Sequence, residues 1–284
     1  MALIERSRFC EAMGTGFEVF LYGEDEEHLE AVAVAVTEEI IRLDGVLSRY
    51  DPRSEIARIN RDAGSAPLRV DREVFGLLER CEQARRLTEG HFDVTASTSR
   101  ASATPVLHLD AESGTVQFAR PDVVIDLGGV GKGYALDRGR EILLRFGVTR
   151  GLLDGGTSSV LALGAPPGGR GWPVDVRHPQ TPAAAPVARV ELIDRGFSCS
   201  AVCHPGQEQS DVVNPWTGCM LSGNAACIVL AASATEAEIF STALLAMGRE
   251  RAISYLEKKS CPGVNVGWFK PDAGFAWIAP MKDS

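Results

Sequence analysis

A glycine-rich segment at residues 123–137 constrains this sequence more than any other feature. Four glycines fall within residues 128–133, after an apolar run and before a helix-forming stretch. Glycine allows the backbone to adopt positive φ angles and to approach a ligand closely. We therefore expect a short buried strand at 123–126, a glycine turn, and a helix at 134–146.

The glycine turn predicts a binding site for phosphate or pyrophosphate. Backbone N–H groups at a strand-to-helix turn converge on one point and attract an anion. Lys132 adds a positive charge, and Asp126 adds a carboxylate at the end of the predicted strand. The alternative is a turn that serves only the close packing of strand and helix.

Neither of the two common nucleotide-binding motifs matches this turn. A Walker A loop needs a glycine where Asp126 stands and a hydroxyl residue where Gly133 stands. The Gly-x-Gly-x-x-Gly motif fails because Tyr134 occupies its last glycine position. A phosphate site here would therefore be neither a Walker loop nor a Rossmann loop.

The composition favours an acidic, soluble enzyme. A chain of 284 residues can bury a large core in one or two domains, and 45% apolar with 24% charged residues is typical of a globular protein. The net charge of −9, without any basic run, argues against nucleic-acid binding.

The N-terminus and the cysteines predict a cytoplasmic protein. The first residues contain no apolar run long enough for a signal peptide or a membrane segment. The seven cysteines include no Cys-x-x-Cys pair, and Cys199 and Cys203, with His204 beside them, lack the second pair that a zinc site needs. We expect reduced thiols.

Apolar periodicity predicts an α+β fold. Helices and strands follow each other in irregular order, so we expect mixed or antiparallel sheets with flanking helices. The predicted helices are 26–47, 55–60, 70–88 (capped by Asp71 or a neighbour), 134–146 and 235–247. The predicted strands are 13–23, 106–109, 115–118, 123–126, two within 150–164, 172–176, 188–193, 197–206 and 212–218 around a turn at 214–218, 225–232, 264–269 and 274–279.

Several short motifs occur in an order that resembles the FAD:protein FMN transferases of the ApbE family. The strongest are Gly-His-Phe-Asp-Val-Thr at 90–95 and Asp-Leu-Gly-Gly-x-x-Lys-Gly-Tyr-Ala-x-Asp at 126–137. The resemblance extends over most of the chain, from residue 10 to residue 280. The other matching motifs lie at 13–15, 48–55, 155–158, 214–218 and 237–244.

The resemblance implies one transferase domain over residues 1–284 with a T-fold-like architecture, and two subdomains around the glycine turn are the alternative. The family splits FAD at its pyrophosphate with the help of Mg²⁺. It attaches FMN to a threonine or serine hydroxyl of an acceptor flavoprotein and releases AMP. Displacement at a pyrophosphate phosphorus needs cations and an in-line oxygen nucleophile, which suits a turn with a lysine.

The resemblance also implies roles for individual residues. Lys132 and Asp211 would be catalytic, with Asp211 as the base. Glu238 and Thr242 would bind Mg²⁺, because a spacing of four places both oxygens on one helix face; otherwise Glu238 is an ordinary exposed residue near a helix start. The FAD site would comprise Met13, Tyr50, His91, Phe92, Asp93, Asp126, Lys132 and Val213, and the metal site Gly129 (through its carbonyl), Glu238, Ser241 and Thr242.

The sequence departs from the family pattern at both the metal and the acceptor side. Glu238 replaces an aspartate, and Mg²⁺ requires near-ideal octahedral geometry at about 2.1 Å. In the pattern His-Ile-Ile-Asp-Pro-Arg-Thr-Gly, Asp211 replaces the histidine, Asn214 the aspartate and Trp216 the arginine. A carboxylate is a weaker base than an imidazole, and His204 is the alternative base.

Three functions therefore remain open from the sequence. The first is an active FMN transferase. The second is an FAD pyrophosphatase that transfers FMN to water, which the loss of an acceptor-side base would favour. The third is a catalytically silent protein that binds FAD as a sensor, carrier or scaffold.

Overall fold

The protein consists of antiparallel sheets flanked by helices, which confirms the predicted α+β class. The computed structural model describes residues 3–98, 105–177, 181, 183–202, 210–259, 261–270 and 274–279. Its helices are α1 (Glu26–Leu47), α2 (Glu55–Asp62), α3 (Arg72–Leu87), α4 (Gly131–Arg145), α5 (Ala234–Met247) and α6 (Arg249–Lys258). None of these helices has the length and the apolar character that a membrane crossing requires.

The strands form one large sheet and two small ones. They are β1 (Ile4–Ala12), β2 (Thr15–Gly23), β3 (Leu68–Arg69), β4 (Leu107–Asp110), β5 (Thr115–Phe118), β6 (Gly151–Asp154), β7 (Ser159–Leu163), β8 (Trp172–Val176), β9 (Ala188–Leu192), β10 (Gly196–Ala201), β11 (Ala226–Ala231), β12 (Asn265–Lys270) and β13 (Gly274–Ala279). The large sheet has the order β1-β2-β6-β7-β10-β11-β12-β13, and its pairings are antiparallel. The small sheets are β3-β5-β4 and β8-β9.

The large sheet is covered on both faces, as β7 shows. Side chains of a strand alternate between the two faces. Leu161 and Leu163 pack in the core formed with α1 and α4. Val160 and Ala162 pack on the other side with Trp172 of the β8–β9 hairpin. A strand buried on both faces explains why β7 is apolar almost throughout.

Side-chain caps fix where the main helices begin. Asp71 Oδ1 accepts a hydrogen bond from Glu73 N at 2.8 Å, so the predicted cap of α3 is confirmed. The hydroxyl of Ser54 accepts from Ala57 N at 2.9 Å at the start of α2. Such a cap satisfies backbone N–H groups that have no partner inside the helix.

The strand predicted at 123–126 is wrong. The segment is buried, but its backbone pairs with side chains and a loop instead of a strand. Ile125 N donates to Asn60 Oδ1 at 2.7 Å, and Asn60 Nδ2 donates to Ile125 O at 2.9 Å. Asp126 N donates to Val94 O at 2.8 Å. These bonds satisfy the buried backbone, so no sheet is required.

The predicted strand at 13–23 is in fact the second arm of a hairpin. Met13 and Gly14 form a two-residue turn with φ angles of 51° and 72°, and β1 precedes it. Positive φ at both positions gives the type I′ geometry that matches the twist of paired strands. Because β1 lies at the edge of the sheet and exposes charged side chains, it lacks the apolar alternation that marked β2.

Other differences from the prediction are local. The segment 212–218 is a turn in which Val213 makes an isolated bridge with Met220. Helix α4 begins three residues before the predicted start, and β3 and α6 were missed. Strand β10 ends at Ala201, and the rest of the predicted 197–206 strand beyond 202 lies outside the described residues.

Helices α4 and α5 meet at a close contact that positions the glycine turn. The carboxylate of Asp137 accepts hydrogen bonds from Ala234 N at 2.9 Å and Thr235 N at 3.0 Å, and also from the Thr235 hydroxyl. Gly133 makes this approach feasible, because a methyl group there would lie 2.4 Å from Ala234 O. The first turn of α4 is thus fixed against the N-terminus of α5.

We expect Gly133→Ala to lower the free energy of unfolding by about 1–3 kcal/mol, because the added methyl overpacks the contact between the two helices. Gly76→Ala in α3 is the matched control. A methyl there meets nothing within 4 Å, so it should raise the free energy by about 0.5–1 kcal/mol. Urea unfolding measures both values, and equal effects of the two variants would contradict the account of this contact.

Candidate functional site

A cavity of about 630 Å³ lies beside the glycine turn. The β1–β2 hairpin tip, the segment after α3, strand β10, the loop at 211–220 and helix α5 all contribute to its wall. Its volume is in the range of sites for small molecules and cofactors. The predicted residues that line it are Met13, Tyr50, His91, Phe92, Asp93, Asp126, Gly129, Lys132, Asp211, Val213, Glu238 and Thr242.

The glycine turn does not present all of its amides to this cavity. Gly128 N donates to Asp126 Oδ1 at 2.9 Å, and Gly131 N donates to Leu127 O at 2.8 Å. Val130 N also donates to Leu127 O, at 3.0 Å. The expected convergence of these N–H groups on an anion is therefore wrong for three amides, which the turn itself uses. The positive charge of Lys132 remains at the cavity.

Met13 and Tyr50 supply apolar and aromatic surface. Met13 is held at the hairpin tip, where a methyl group on Gly131 would lie 3.9 Å from its Sδ atom. The Tyr50 ring is 80% exposed and carries the Arg49 guanidinium 4.8 Å from its centroid. Arg49 Nη1 in turn lies 3.0 Å from Asp126 Oδ2. An aromatic ring, a cation and a carboxylate thus stand together at the cavity mouth.

His91 is a buried, neutral imidazole at the cavity wall. Its Nδ1 donates to Thr88 O at 3.0 Å, which fixes the tautomer because a carbonyl oxygen only accepts. Burial lowers the pKa of His91, and the nearby positive charge of Arg251 adds to this, against the opposing effect of Glu89. The ring is therefore uncharged at neutral pH and suited to contact an uncharged part of a ligand.

Asp93 is the buried carboxyl of the same wall. Its Oδ1 accepts hydrogen bonds from Thr95 N at 2.8 Å and from the Thr95 hydroxyl at 2.7 Å. Burial raises the pKa of Asp93, although these hydrogen bonds and Arg85 act against the increase. Phe92 beside it is anchored by its backbone N–H, which donates to the Thr88 hydroxyl at 3.0 Å.

Glu238 is the buried acidic group on the cavity floor. Its side chain is 4% exposed, and its Oε1 lies 3.6 Å from Lys132 Nζ. The Ser159 hydroxyl donates to the same oxygen at 2.5 Å. The other oxygen, Oε2, is buried without a hydrogen-bond partner in the described part of the chain. A buried carboxylate oxygen without a partner is costly unless a cation binds it.

The oxygen atoms of the neighbouring residues are ligands that suit a hard cation such as Mg²⁺. Thr242 follows Glu238 by one helical turn, and a methyl group on Gly129 would lie 3.3 Å from Thr242 Oγ1. A carboxylate, a hydroxyl and a backbone carbonyl are the oxygen ligands that Mg²⁺ accepts, with water completing its shell. In the described residues no group of three or more His, Cys, Asp or Glu side chains forms a metal cluster, so such a site would depend on these mixed oxygens.

Ser241 lies behind this set and does not line the cavity. Its buried hydroxyl lies 3.0 Å from the Ser198 hydroxyl and 2.8 Å from the Ser200 hydroxyl, and it donates to Glu238 O at 3.1 Å. The Ser200 hydroxyl also lies 3.3 Å from Thr242 Oγ1. Ser241 thus connects β10 with α5 beneath the candidate metal ligands.

The loop at 211–220 forms the remaining wall. Asp211 and Val213 line the cavity, as do Val212, Pro215 and Met220. His204, the alternative base, lies outside the described residues. Of the two predicted bases, Asp211 is therefore the one that the described residues place at the cavity wall.

Sequence reasoning missed several cavity residues. Arg49 was overlooked although it directly precedes Tyr50 in the motif at 48–55. A positive charge next to an aromatic residue was a sequence signal that could have predicted its place at the cavity. Ser198 and Ser200 of β10 line the cavity although no role was predicted for them. No sequence pattern marks Ser158 and Met220 as site residues, because only the folding of the chain brings them to the cavity.

Comparisons with known proteins agree with the fold and the sequence motifs. The sequence model of the ApbE family matches residues 13–102 and 96–266. An FAD:protein FMN transferase of Klebsiella pneumoniae is 25% identical, over 95% of this chain and 86% of the relative. The flavin transferase ApbE of Vibrio cholerae has the same fold, with a TM-score of 0.79, 21% identity and coverage of 97% of this chain and 96% of that one. The ApbE protein of Thermotoga maritima gives a TM-score of 0.84 at 22% identity, covering 96% and 97%.

The carboxyl of Asp154, at the end of β6, predicts a pH-dependent stability. Burial raises the pKa of Asp154 to about 6, and Glu18 adds to the increase. Between about pH 4 and pH 6 Asp154 therefore binds a proton more fully in the folded protein than in the unfolded chain, so its contribution to the free energy of unfolding falls as pH rises through this window.

We expect Asp154→Asn to remove this part of the pH dependence, because an amide does not titrate. Urea unfolding at pH 4, 5, 6 and 7 measures the slope of the free energy of unfolding against pH. Glu112→Gln, on an exposed turn, is the control that should keep the wild-type slope. If the slope of Asp154→Asn equals that of the wild type between pH 4 and pH 6, Asp154 is not the group responsible.

Proposed function

The chain belongs to the ApbE family, and we propose that it is an FAD:protein FMN transferase that cleaves FAD with Mg²⁺ and attaches FMN to an acceptor flavoprotein. The observation that carries the proposal is the unpartnered Oε2 atom of buried Glu238, close to Lys132, on the floor of a cavity of about 630 Å³. This unpartnered oxygen supports a cation site inside a cavity that also offers aromatic and apolar surface.

In this proposal Met13, Tyr50, His91 and Phe92 contact the ring systems of FAD. Stacking on such surfaces contributes on the order of 1 kcal/mol for each ring. The carboxylates of Asp93 and Asp126 accept hydrogen bonds from polar groups of the dinucleotide, and Arg49 orients Asp126. Val213 supplies apolar surface from the opposite loop.

Glu238, Thr242 and the Gly129 carbonyl would hold Mg²⁺, with Ser241 supporting them from behind. The bound ion would neutralise charge on the pyrophosphate. Lys132 contributes a second cation at the same place, since its ammonium group already lies 3.6 Å from Glu238 Oε1. Lys132 and the bound ion, as two cations beside the phosphates, would stabilise the charge that develops when a phosphoanhydride bond breaks.

The acceptor hydroxyl completes the reaction in a single displacement. A threonine or serine oxygen of the acceptor forms a bond to the FMN phosphorus, and the bridging oxygen leaves with AMP. Asp211 at the cavity wall receives the proton of the hydroxyl. A cytoplasmic location goes with this proposal and stays a prediction from the sequence.

The first test incubates purified protein with FAD and Mg²⁺, with and without a lysate of the source organism. We expect AMP release and a protein band carrying covalent flavin fluorescence. Free FMN with AMP and no labelled band would instead favour a pyrophosphatase. Tight FAD binding without AMP, even with lysate, would contradict both enzymatic functions and favour a silent FAD-binding protein.

Glu238→Gln should reduce AMP release by about 100-fold or more, because the amide keeps the shape of the side chain but loses the charge that holds the cation. Glu236→Gln, two residues earlier on α5 and outside the cavity, is the matched control and should retain activity. Initial rates over a range of Mg²⁺ concentrations separate a loss of metal affinity from a loss of turnover. Equal rates for the two variants would contradict the metal site.

Asp211→Ala tests the base. We expect a fall in flavin transfer of about 100-fold, the usual contribution of a general base, with FAD affinity within two-fold of the wild type. Transfer at the wild-type rate would show that another group accepts the proton.

A further inference from the structure

The C-terminal turn of α3 is where three distant parts of the chain meet. The last carbonyls of a helix have no partner inside the helix. Here Leu87 O accepts from the Tyr255 hydroxyl at 3.0 Å, Thr88 O accepts from His91 Nδ1 at 3.0 Å, and Glu89 O accepts from Trp216 Nε1 at 3.1 Å. Three consecutive carbonyls are thus capped by three aromatic side chains.

Trp216 contributes to this turn from the loop at 211–220. Its ring centroid lies 6.1 Å from that of His91, at an interplanar angle of 46°. Aromatic pairs at this separation attract each other beyond their burial of area. The indole therefore contacts both the Glu89 carbonyl, two residues before His91, and the imidazole itself, so it connects the loop at 211–220 with the cavity wall that contains His91.

The same loop also makes a hydrogen bond to α5, through Asn214. Asn214 Nδ2 donates to Ala246 O at 3.1 Å, near the C-terminus of that helix. Asn214 Oδ1 accepts from Trp216 N at 2.9 Å and from Thr217 N at 3.2 Å. One side chain thus shapes the turn that carries Trp216 and ties it to α5. An aspartate at this position would keep the acceptor but lose the donor.

We propose that Trp216 and Asn214 are positioning residues that hold the loop at 211–220 against the Glu89 turn, so that Asp211 and Val213 stay on the wall of the cavity that His91 also lines. This rests on the proposed function for its catalytic consequence, but the mechanical coupling does not depend on it. Glu89 is also connected to α6, because its carboxylate lies 3.7 Å from Arg251 Nη2.

The first experiment needs no ligand. Amide hydrogen exchange of the wild type is compared with that of Trp216→Phe, Asn214→Asp and the control Trp277→Phe, which alters an exposed tryptophan on β13. We expect exchange in peptides covering 212–221 and 88–93 to be about 3- to 10-fold faster in the first two variants, the effect of one lost hydrogen bond. Trp277→Phe should leave both peptides unchanged.

The second experiment measures the consequence for FAD. The kcat for flavin transfer should fall about 3- to 10-fold in Trp216→Phe and Asn214→Asp, because a loosened loop misplaces Asp211. The KM for FAD should rise because Val213 is misplaced too, while thermal stability changes little. A general loss of packing would lower kcat and thermal stability together, so this split distinguishes positioning from damage. Trp216→Phe keeps an aromatic ring, which guards against simple misfolding.

The two experiments fail in different ways. If the exchange of 88–93 does not respond to changes at 214 and 216, the coupling is absent and the inference is overturned. If the exchange responds but the wild type neither binds nor cleaves FAD, the coupling stands and the proposed function fails. Unchanged KM and kcat in both variants of an active enzyme would overturn the positioning role.

Discussion

The site depends on one contact between two helices, the carboxylate of Asp137 on the N-terminus of α5. A helix N-terminus carries unpaired N–H groups and a partial positive charge. Asp137 accepts from Ala234 N and Thr235 N, Ser233 Oγ accepts from Glu236 N, and Ser233 O accepts from Ala237 N. The four N-terminal amides of α5 are therefore all satisfied, two of them by a residue of α4.

This contact determines the geometry of the cavity floor. Hydrogen bonds to a charged group contribute about 1.5–3 kcal/mol each, which is ample to fix the relative position of two helices. Lys132 lies five residues before Asp137 on α4, and Glu238 lies one turn after Ala234 on α5. The ammonium of one and the carboxylate of the other are thereby brought within 3.6 Å. The glycine turn is close-packed and also lines the cavity, because Gly133 permits the approach that places Lys132.

Much of the fold could be predicted from the sequence, because apolar periodicity and caps are local. Helices α1, α3 and α5 and the β4–β5 hairpin were found within a few residues of their bounds. Segment 123–126 was mistaken for a strand because an apolar run does not reveal that Asn60, far away in the chain, supplies its hydrogen bonds. Ser158 and Met220 were missed for the same reason, since only tertiary contacts bring them to the cavity. The i to i+4 spacing did anticipate that Glu238 and Thr242 share a face, but Glu238 is buried, which excludes the exposed alternative.

The central claim is that Glu238, Thr242 and the Gly129 carbonyl form a cation site beside Lys132 for the pyrophosphate of FAD. A crystal structure of the protein with FAD and Mn²⁺, used as a stand-in for Mg²⁺ with an anomalous signal, tests this most directly. We predict an anomalous peak between these three residues, with the pyrophosphate next to Lys132. A metal bound elsewhere, or an FAD whose phosphates lie away from Lys132, would contradict the account.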